Sequence, residues 1–249
     1  MSIRTIAAAL LLGGAVLAQP ASAASYLITY TGTVSSGYDQ TDVFGLGGTD
    51  LTGQAFKAVY TLTDPTPGAY VYNDGFAGYT YGGTDYGAGI PSPLSAKITI
   101  NGITKAISGD QEGFAYQVDG LLTSSGYDQV YHFAYDYLYG GSRQTQDYLY
   151  NSVYSYVNNI VDTSNYTTPL DYSAQAGDSN NYGYFQFYDY NYVTGIYDQY
   201  ASGSLTNERV TINLVSGVPE PATWAMMLTG FGLVGGAMRR KARMAVSFA

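Results

Sequence analysis

The chain has no cysteine, one histidine, one tryptophan and only 10 lysines and arginines against 19 acids in 249 residues. Without cysteine, disulfide scaffolds, thiolate metal centres and cysteine nucleophiles are excluded together. The single histidine, His132, would have to serve any Ser-His-Asp relay, and the middle of the chain contains no Gly-x-Ser-x-Gly element. His132 therefore reads as a structural or surface residue. Between residues 24 and 218 the only basic side chains are Lys57, Lys97, Lys105, Arg143 and Arg209, set against 18 acids, for a formal charge of −13. No nucleic acid is expected as a partner, because phosphate binding needs a basic face.

What is abundant is tyrosine. All 28 lie in the middle segment, interspersed with Gly, Asn and Asp. Aromatic β-formers punctuated by turn formers predict an all-β domain. In residues 131–139 every odd position is aromatic, and Tyr182, Tyr184, Tyr188, Tyr190 and Tyr192 repeat the pattern on even positions opposite Phe185, Phe187 and Val193. Period-two alternation of this kind places the rings on one face of a strand. Residues 97–100 and 103–107 flank Asn101-Gly102, the dipeptide of a type I′ hairpin turn. Further strands are predicted at 26–34, 55–63, 114–118 and 209–215. Residues 148–161 fit a strand by their tyrosines, although Leu149, Val153, Val157 and Val161 also fit one helical stripe; strand is preferred. Eight to ten short strands predict a single antiparallel β-sandwich, jelly-roll-like, over residues 24–217, with a barrel as the alternative. Tyr-Asp-Gln recurs at 38–40, 127–129 and 197–199, at spacings too unequal for a solenoid, which suggests reused loop chemistry.

The two ends read as addresses. Arg4, an apolar stretch from Ile6 to Leu17, and Ala21-Ser22-Ala23 form a signal peptide over residues 1–23, with cleavage between Ala23 and Ala24. This implies the Sec translocon and signal peptidase as partners. Residues 222–238 carry no charge and are followed by Arg239, Arg240, Lys241 and Arg243, with a short extension at 244–249. As a helix the run would extend roughly 25 Å, close to the hydrocarbon thickness of about 30 Å. The basic stop should remain cytoplasmic, leaving the middle domain outside.

Pro219-Glu220-Pro221-x-x-Trp224-Ala225, followed by the Gly-rich apolar run and the basic stop, resembles the PEP-CTERM sorting tail in its PEPxxWA variant, here over residues 218–243. The resemblance implies a substrate of an exosortase, a membrane enzyme that recognises the box and removes the hydrophobic tail. Physically, two prolines hold the backbone extended and end any helix, leaving the box available to a cleft. The family's association with exopolysaccharide-producing bacteria implies a noncatalytic surface or matrix protein, transiently anchored and then held in the envelope or released. The other reading is a secreted carbohydrate-active enzyme or carbohydrate-binding module carrying the same tail. Glu112, Glu208 and the many aspartates are raw material for a carboxylate pair, while the tyrosines suit stacking on sugars. No catalytic residue, metal ligand or cofactor is assigned. Asp178-x-Asn180 with Gly183 and Asp189 partly imitates a calcium loop but lacks its bidentate Glu, so a structural calcium site is no more than a secondary expectation.

Overall fold

The computed structural model describes residues 23–121 and 126–215. The predicted signal peptide up to Ser22, the sorting segment, the membrane run and the basic stop lie outside the described residues. Thirteen strands form one antiparallel sheet. They are β1 (Ala24–Asp39), β2 (Thr49–Asp50), β3 (Ala55–Asp64), β4 (Tyr70–Asn73), β5 (Ala77–Gly82), β6 (Leu94–Ile100) and β7 (Ile103–Ile107), then β8 (Glu112–Asp119), β9 (Asp128–Gly140), β10 (Arg143–Ser155), β11 (Leu170–Ser173), β12 (Asn180–Asn191) and β13 (Ile196–Val215). One 3-10 turn at Thr84–Tyr86 is the only helical element among the described residues.

The all-β expectation holds, but the layers arise differently from a jelly-roll-like sandwich. The strands run β4-β5-β8-β9-β10-β12-β13-β1-β3-β6-β7 without a break, and the sheet curls so that its two halves face each other. The curl has a local cause. Register shifts interrupt β1 against β13 at Thr31/Gly32 and Val34/Ser36, and β12 against β13 at Asp189/Tyr190. Each extra residue bends its strand and sharpens the twist. At the first shift the backbone of β13 comes so close that a Cβ on Gly32 would sit 2.0 Å from the Thr206 carbonyl oxygen, so only glycine fits.

Inside the curl lie Ile28, Tyr30, Leu62, Ile98 and Ile100 from one half and Ala115, Val130, Leu149, Phe185 and Phe187 from the other. At about 1.5–3 kcal/mol for each large apolar side chain, this burial is the dominant favourable term. Two loops fill the ends. Phe44 packs edge-on against Phe185 and Phe187, at 5.6 and 5.7 Å, while Ile160, Val161 and Tyr166 enter the core from the segment after β10. The strand predicted over 148–161 therefore stops at Ser155, and its last apolar residues serve as a plug.

The expected hairpin is present: Ile100 pairs with Ile103, and Asn101 and Gly102 have φ of 51° and 75°, the left-handed pair a type I′ turn requires. The recurrent Tyr-Asp-Gln also acquires a meaning. Buried Asp39 accepts the Val43 and Phe44 amides at 2.8 and 2.7 Å. Buried Asp128 accepts those of Gly120, Leu121, Ile160 and Val161 at 2.9–3.3 Å. Both carboxylates satisfy buried loop donors and so seat the two plugs. Asp198, the third, pairs instead with surface Arg143 at 2.8 Å.

Candidate functional site: an aromatic outer face

Because side chains alternate across a strand, filling the core with one set of residues sends the other set outward. From β4 to β12 that outer set is aromatic. The register aligns Tyr70, Tyr81, Phe114, Phe133, Tyr150 and Tyr184 in one row across six successive strands. A second row holds Tyr72, Tyr79, Tyr116 and Tyr131, then Ser152 and Tyr182. At about 4.8 Å between strands the rows span roughly 24 Å. Ring contacts run from end to end: Tyr72–Tyr79 at 4.9 Å, Tyr79–Tyr116 at 6.3 Å, Phe114–Tyr131 at 5.7 Å, Tyr131–Tyr150 at 6.1 Å and Tyr150–Tyr182 at 5.7 Å. Phe114 and Tyr116, stacked at 5.9 Å, join the rows. Tyr139, Tyr190, Tyr192 and Tyr197 continue the face toward one rim, with Tyr190 5.0 Å from both Tyr192 and Tyr197.

Most of these rings are half-buried by their neighbours, with one face left to solvent. Burial pushes the Tyr131 phenol up to about 12, with the Glu112 carboxylate adding to the effect, and burial likewise raises Tyr116, Tyr148 and Tyr150. These four phenols stay neutral across the physiological range. Gln146, Gln186 and Ser204 stand in the same outward register, placing amide and hydroxyl groups among the rings. A surface of ring faces with interspersed hydrogen-bonding groups suits a ligand that offers both C–H faces and hydroxyls.

His132 lies on the opposite, inner face. Its Nδ1 is 2.8 Å from the Tyr30 hydroxyl, its Nε2 is buried without a hydrogen-bond partner, and burial depresses its pKa to about 3. It is a neutral core residue. Beside it the Tyr60 hydroxyl donates to Asn151 Oδ1 at 2.8 Å, Asn151 Nδ2 donates to Asn207 Oδ1 at 2.7 Å, and Asn207 Nδ2 donates to the carbonyls of Ser152 and Tyr182 at 2.9 and 3.0 Å. This chain ties β3 to β10, β12 and β13 through the core. It fixes the register that lines up the outer rings.

The acids considered from sequence do not converge. Glu112 accepts the Tyr86 hydroxyl at 2.6 Å on β8, and Glu208 lies on β13, with β9, β10 and β12 between them. Asp178 precedes β12 and Asp189 lies near its far end, separated by a strand length of roughly 30 Å at about 3.3 Å per residue. Asp178 accepts Tyr172, Asn158, Asn181 and the Gln175 amide, whereas Asp189 accepts the Arg143 guanidinium at 2.6 and 2.7 Å. Asn180 opens β12, and Gly183 is buried against Asn151 within it. A different pair does meet. Asp136 and Asp147 are direct neighbours on β9 and β10 at the inner rim. Asp136 accepts the Ser108 amide and hydroxyl and the Asp110 amide at 2.6–2.9 Å. Asp147 is pushed up to about 6, chiefly by burial, with Asp136 and Asp189 adding and the Tyr188 amide and Lys105 opposing. Sequence reasoning missed this pair because nothing local joins two positions eleven residues apart until the β9–β10 hairpin does.

Fold and face thus define an all-β domain with an aromatic outer face. Residues 217–241 match the PEP-CTERM protein-sorting motif, so the chain carries that motif at its C-terminal end. The match contains Pro219, Glu220, Pro221, Trp224, Ala225, Arg239, Arg240 and Lys241, with Arg243 just beyond it. It makes this an exported protein sorted through a C-terminal signal, transiting the membrane on its way to the envelope or exterior and handled by an exosortase-type membrane enzyme. No curated protein and no solved structure matches the chain. No helix among the described residues is long and apolar enough to cross a membrane.

Proposed function

We propose that this is a noncatalytic surface or matrix protein, delivered by its sorting tail to an exopolysaccharide layer, which its aromatic outer face contacts. The observation that carries the reading is the unbroken path of rings over six strands, interspersed with amides and hydroxyls. The charge of the middle segment, −13, favours an uncharged glycan over a polyanion. In this reading residues 1–23 are removed on export, residues 222–238 form a transient membrane helix, and the basic stop at 239–243 holds the tail on the cytoplasmic side until cleavage near Pro221.

Two measurements test it. Affinity electrophoresis in gels containing the host's own exopolysaccharide should retard the protein, and a Tyr81→Ala, Tyr150→Ala double variant should lose most of the retardation; equal mobility of the two would refute the contact. Intact-mass analysis of protein recovered from the host should find material ending near Pro221, and Glu220→Ala should keep its tail. Identical full-length masses would reduce the tail to an anchor.

The Asp136–Asp147 pair favours a second reading, a carbohydrate-active enzyme, because adjoining carboxylates with one raised pKa are the groups glycoside hydrolysis uses. Its test is release of new reducing ends from the same polysaccharide, abolished by Asp147→Asn. Absence of turnover alongside retained binding supports the first reading.

A further inference from the structure

The main path of the sheet ends in two edge strands, β7 and β4, and they differ. β7, at one end, carries Lys105 in its middle, a charge that discourages pairing with another strand. β4, at the other, reads Tyr-Val-Tyr-Asn, with no charge, no proline and an unbroken register against β5. All four residues are exposed, with Tyr70 at 46%, Val71 at 57% and Tyr72 at 44%. The Asp74 amide donates to the Ala77 carbonyl at 3.2 Å and closes the β4–β5 hairpin. Alternation from that bond directs the backbone groups of Tyr70 and Tyr72 to β5 and those of Val71 and Asn73 outward. The free N–H and C=O of Val71 therefore stand at the centre of an edge whose own four residues carry no charge.

We propose that this edge docks the same edge of a second copy of the chain, antiparallel, about a two-fold axis through Val71. The register selects itself. With Val71 opposite Val71, Tyr70 of each copy falls opposite Tyr72 of the other, on the face that already holds Tyr79 and Tyr81. Both aromatic rows then cross the junction without a gap. A slip of one residue would set the tyrosines against the wrong face, and a slip of two would lose one of the two ring pairs, bringing Tyr70 against Asp74 in one direction and Tyr72 against Gly68 in the other. An arbitrary peptide would satisfy the backbone but offers no matching rings, which is why a second copy is the occupant. Because the contact is isologous it closes at two copies, and Lys105 keeps the far edge from extending the assembly. The proposal concerns oligomeric state and is read without any glycan, so its failure and that of the polysaccharide reading are distinguishable.

Sedimentation velocity on the full chain over a concentration series should show a monomer–dimer equilibrium, and hydrogen exchange should show the Val71 and Asn73 amides becoming protected as concentration rises. Val71→Lys sets two ammonium groups at the axis and should weaken the dimer by about tenfold or more. Val193→Lys, the same charge change at an exposed loop residue, should leave it intact. A monomer at every concentration up to about 100 μM, where even weak specific pairs populate, overturns the proposal. So does an undiminished dimer in Val71→Lys or equal loss in both variants. Should Val71→Lys misfold, exchange at Val71 and Asn73 in the parent chain decides.

Discussion

His132 offers the sharpest test of the core. Its ring is buried between Tyr30 and Tyr60, with ring centroids 5.8 and 5.6 Å away, and its pKa is depressed from 6.5 to about 3. The sign follows from linkage: between these values the unfolded chain binds a proton that the folded chain refuses, so stability is complete above about pH 6.5 and declines as pH falls toward 3. For a group with these two pKa values the loss between pH 8 and pH 5 is about 2 kcal/mol. Asp147 acts in the opposite sense. Its pKa is raised from 3.8 to about 6, so the folded form takes up its proton first and gains stability as pH falls from about 6 to 4. The parent alone would show a muted response, and the informative quantity is its difference from His132→Gln. Urea unfolding followed by far-ultraviolet circular dichroism at pH 8, 6.5 and 5 gives that difference. The parent should lose about 2 kcal/mol relative to the variant on acidification over this range. A difference that stays flat with pH would mean that His132 titrates normally and that the core is wetter than the structure requires.

Three further outcomes are expected. Asp128→Ala removes the acceptor of four loop amides and should cost about 3 kcal/mol in urea unfolding; Asp198→Ala, at the exposed third Tyr-Asp-Gln, should unfold with the parent. Asp147→Asn removes a charge that burial disfavours while keeping an acceptor for Tyr188, 3.3 Å away. It should raise the melting temperature at pH 8 and lose that advantage below about pH 4, where the parent carboxyl is protonated in both states. Gly102→Ala places a Cβ at φ 75° in the β6–β7 turn and should destabilise by about 1 kcal/mol, without affecting glycan retardation.

The sequence made the strands legible where alternation was strict, as in β9 and β12, and where turn chemistry was unambiguous, as at Asn101-Gly102. It did not disclose that one sheet supplies both layers, because strand order depends on pairings between distant segments such as β1 with β13. β4 and β5 were overlooked, although Tyr70, Tyr72, Tyr79 and Tyr81 alternate around Asp74-Gly75; each run is too short to stand out before β8 pairs with it. Val157 and Val161 fitted two periods at once and belong to neither, since the segment leaves the strand at Ser155 to fill the end of the curl. The recurrent Tyr-Asp-Gln was visible as a repeat, but its work, seating plugs at Asp39 and Asp128, requires amides that arrive from as far as residue 161.

The abundance of tyrosine follows from what each face must do. A curled single sheet needs a filled interior and a convex exterior that does not collapse onto other proteins. Leucine or isoleucine outside would leave a greasy patch of several strands' width. Tyrosine packs laterally into ladders that stiffen the sheet and ends in a hydroxyl that water or a sugar can satisfy. The interior uses the same residue for another purpose: Tyr30 and Tyr60 cross the core and spend their hydroxyls on His132 and Asn151. Replacing Tyr60 by Phe would strand the Asn151 carbonyl without its 2.8 Å donor, whereas replacing an outer ring such as Tyr150 by Phe should leave the fold intact and alter only what the surface can hydrogen-bond. Within the strands, one residue type thus separates by parity into a structural set that faces inward and a ring-lined set that faces out.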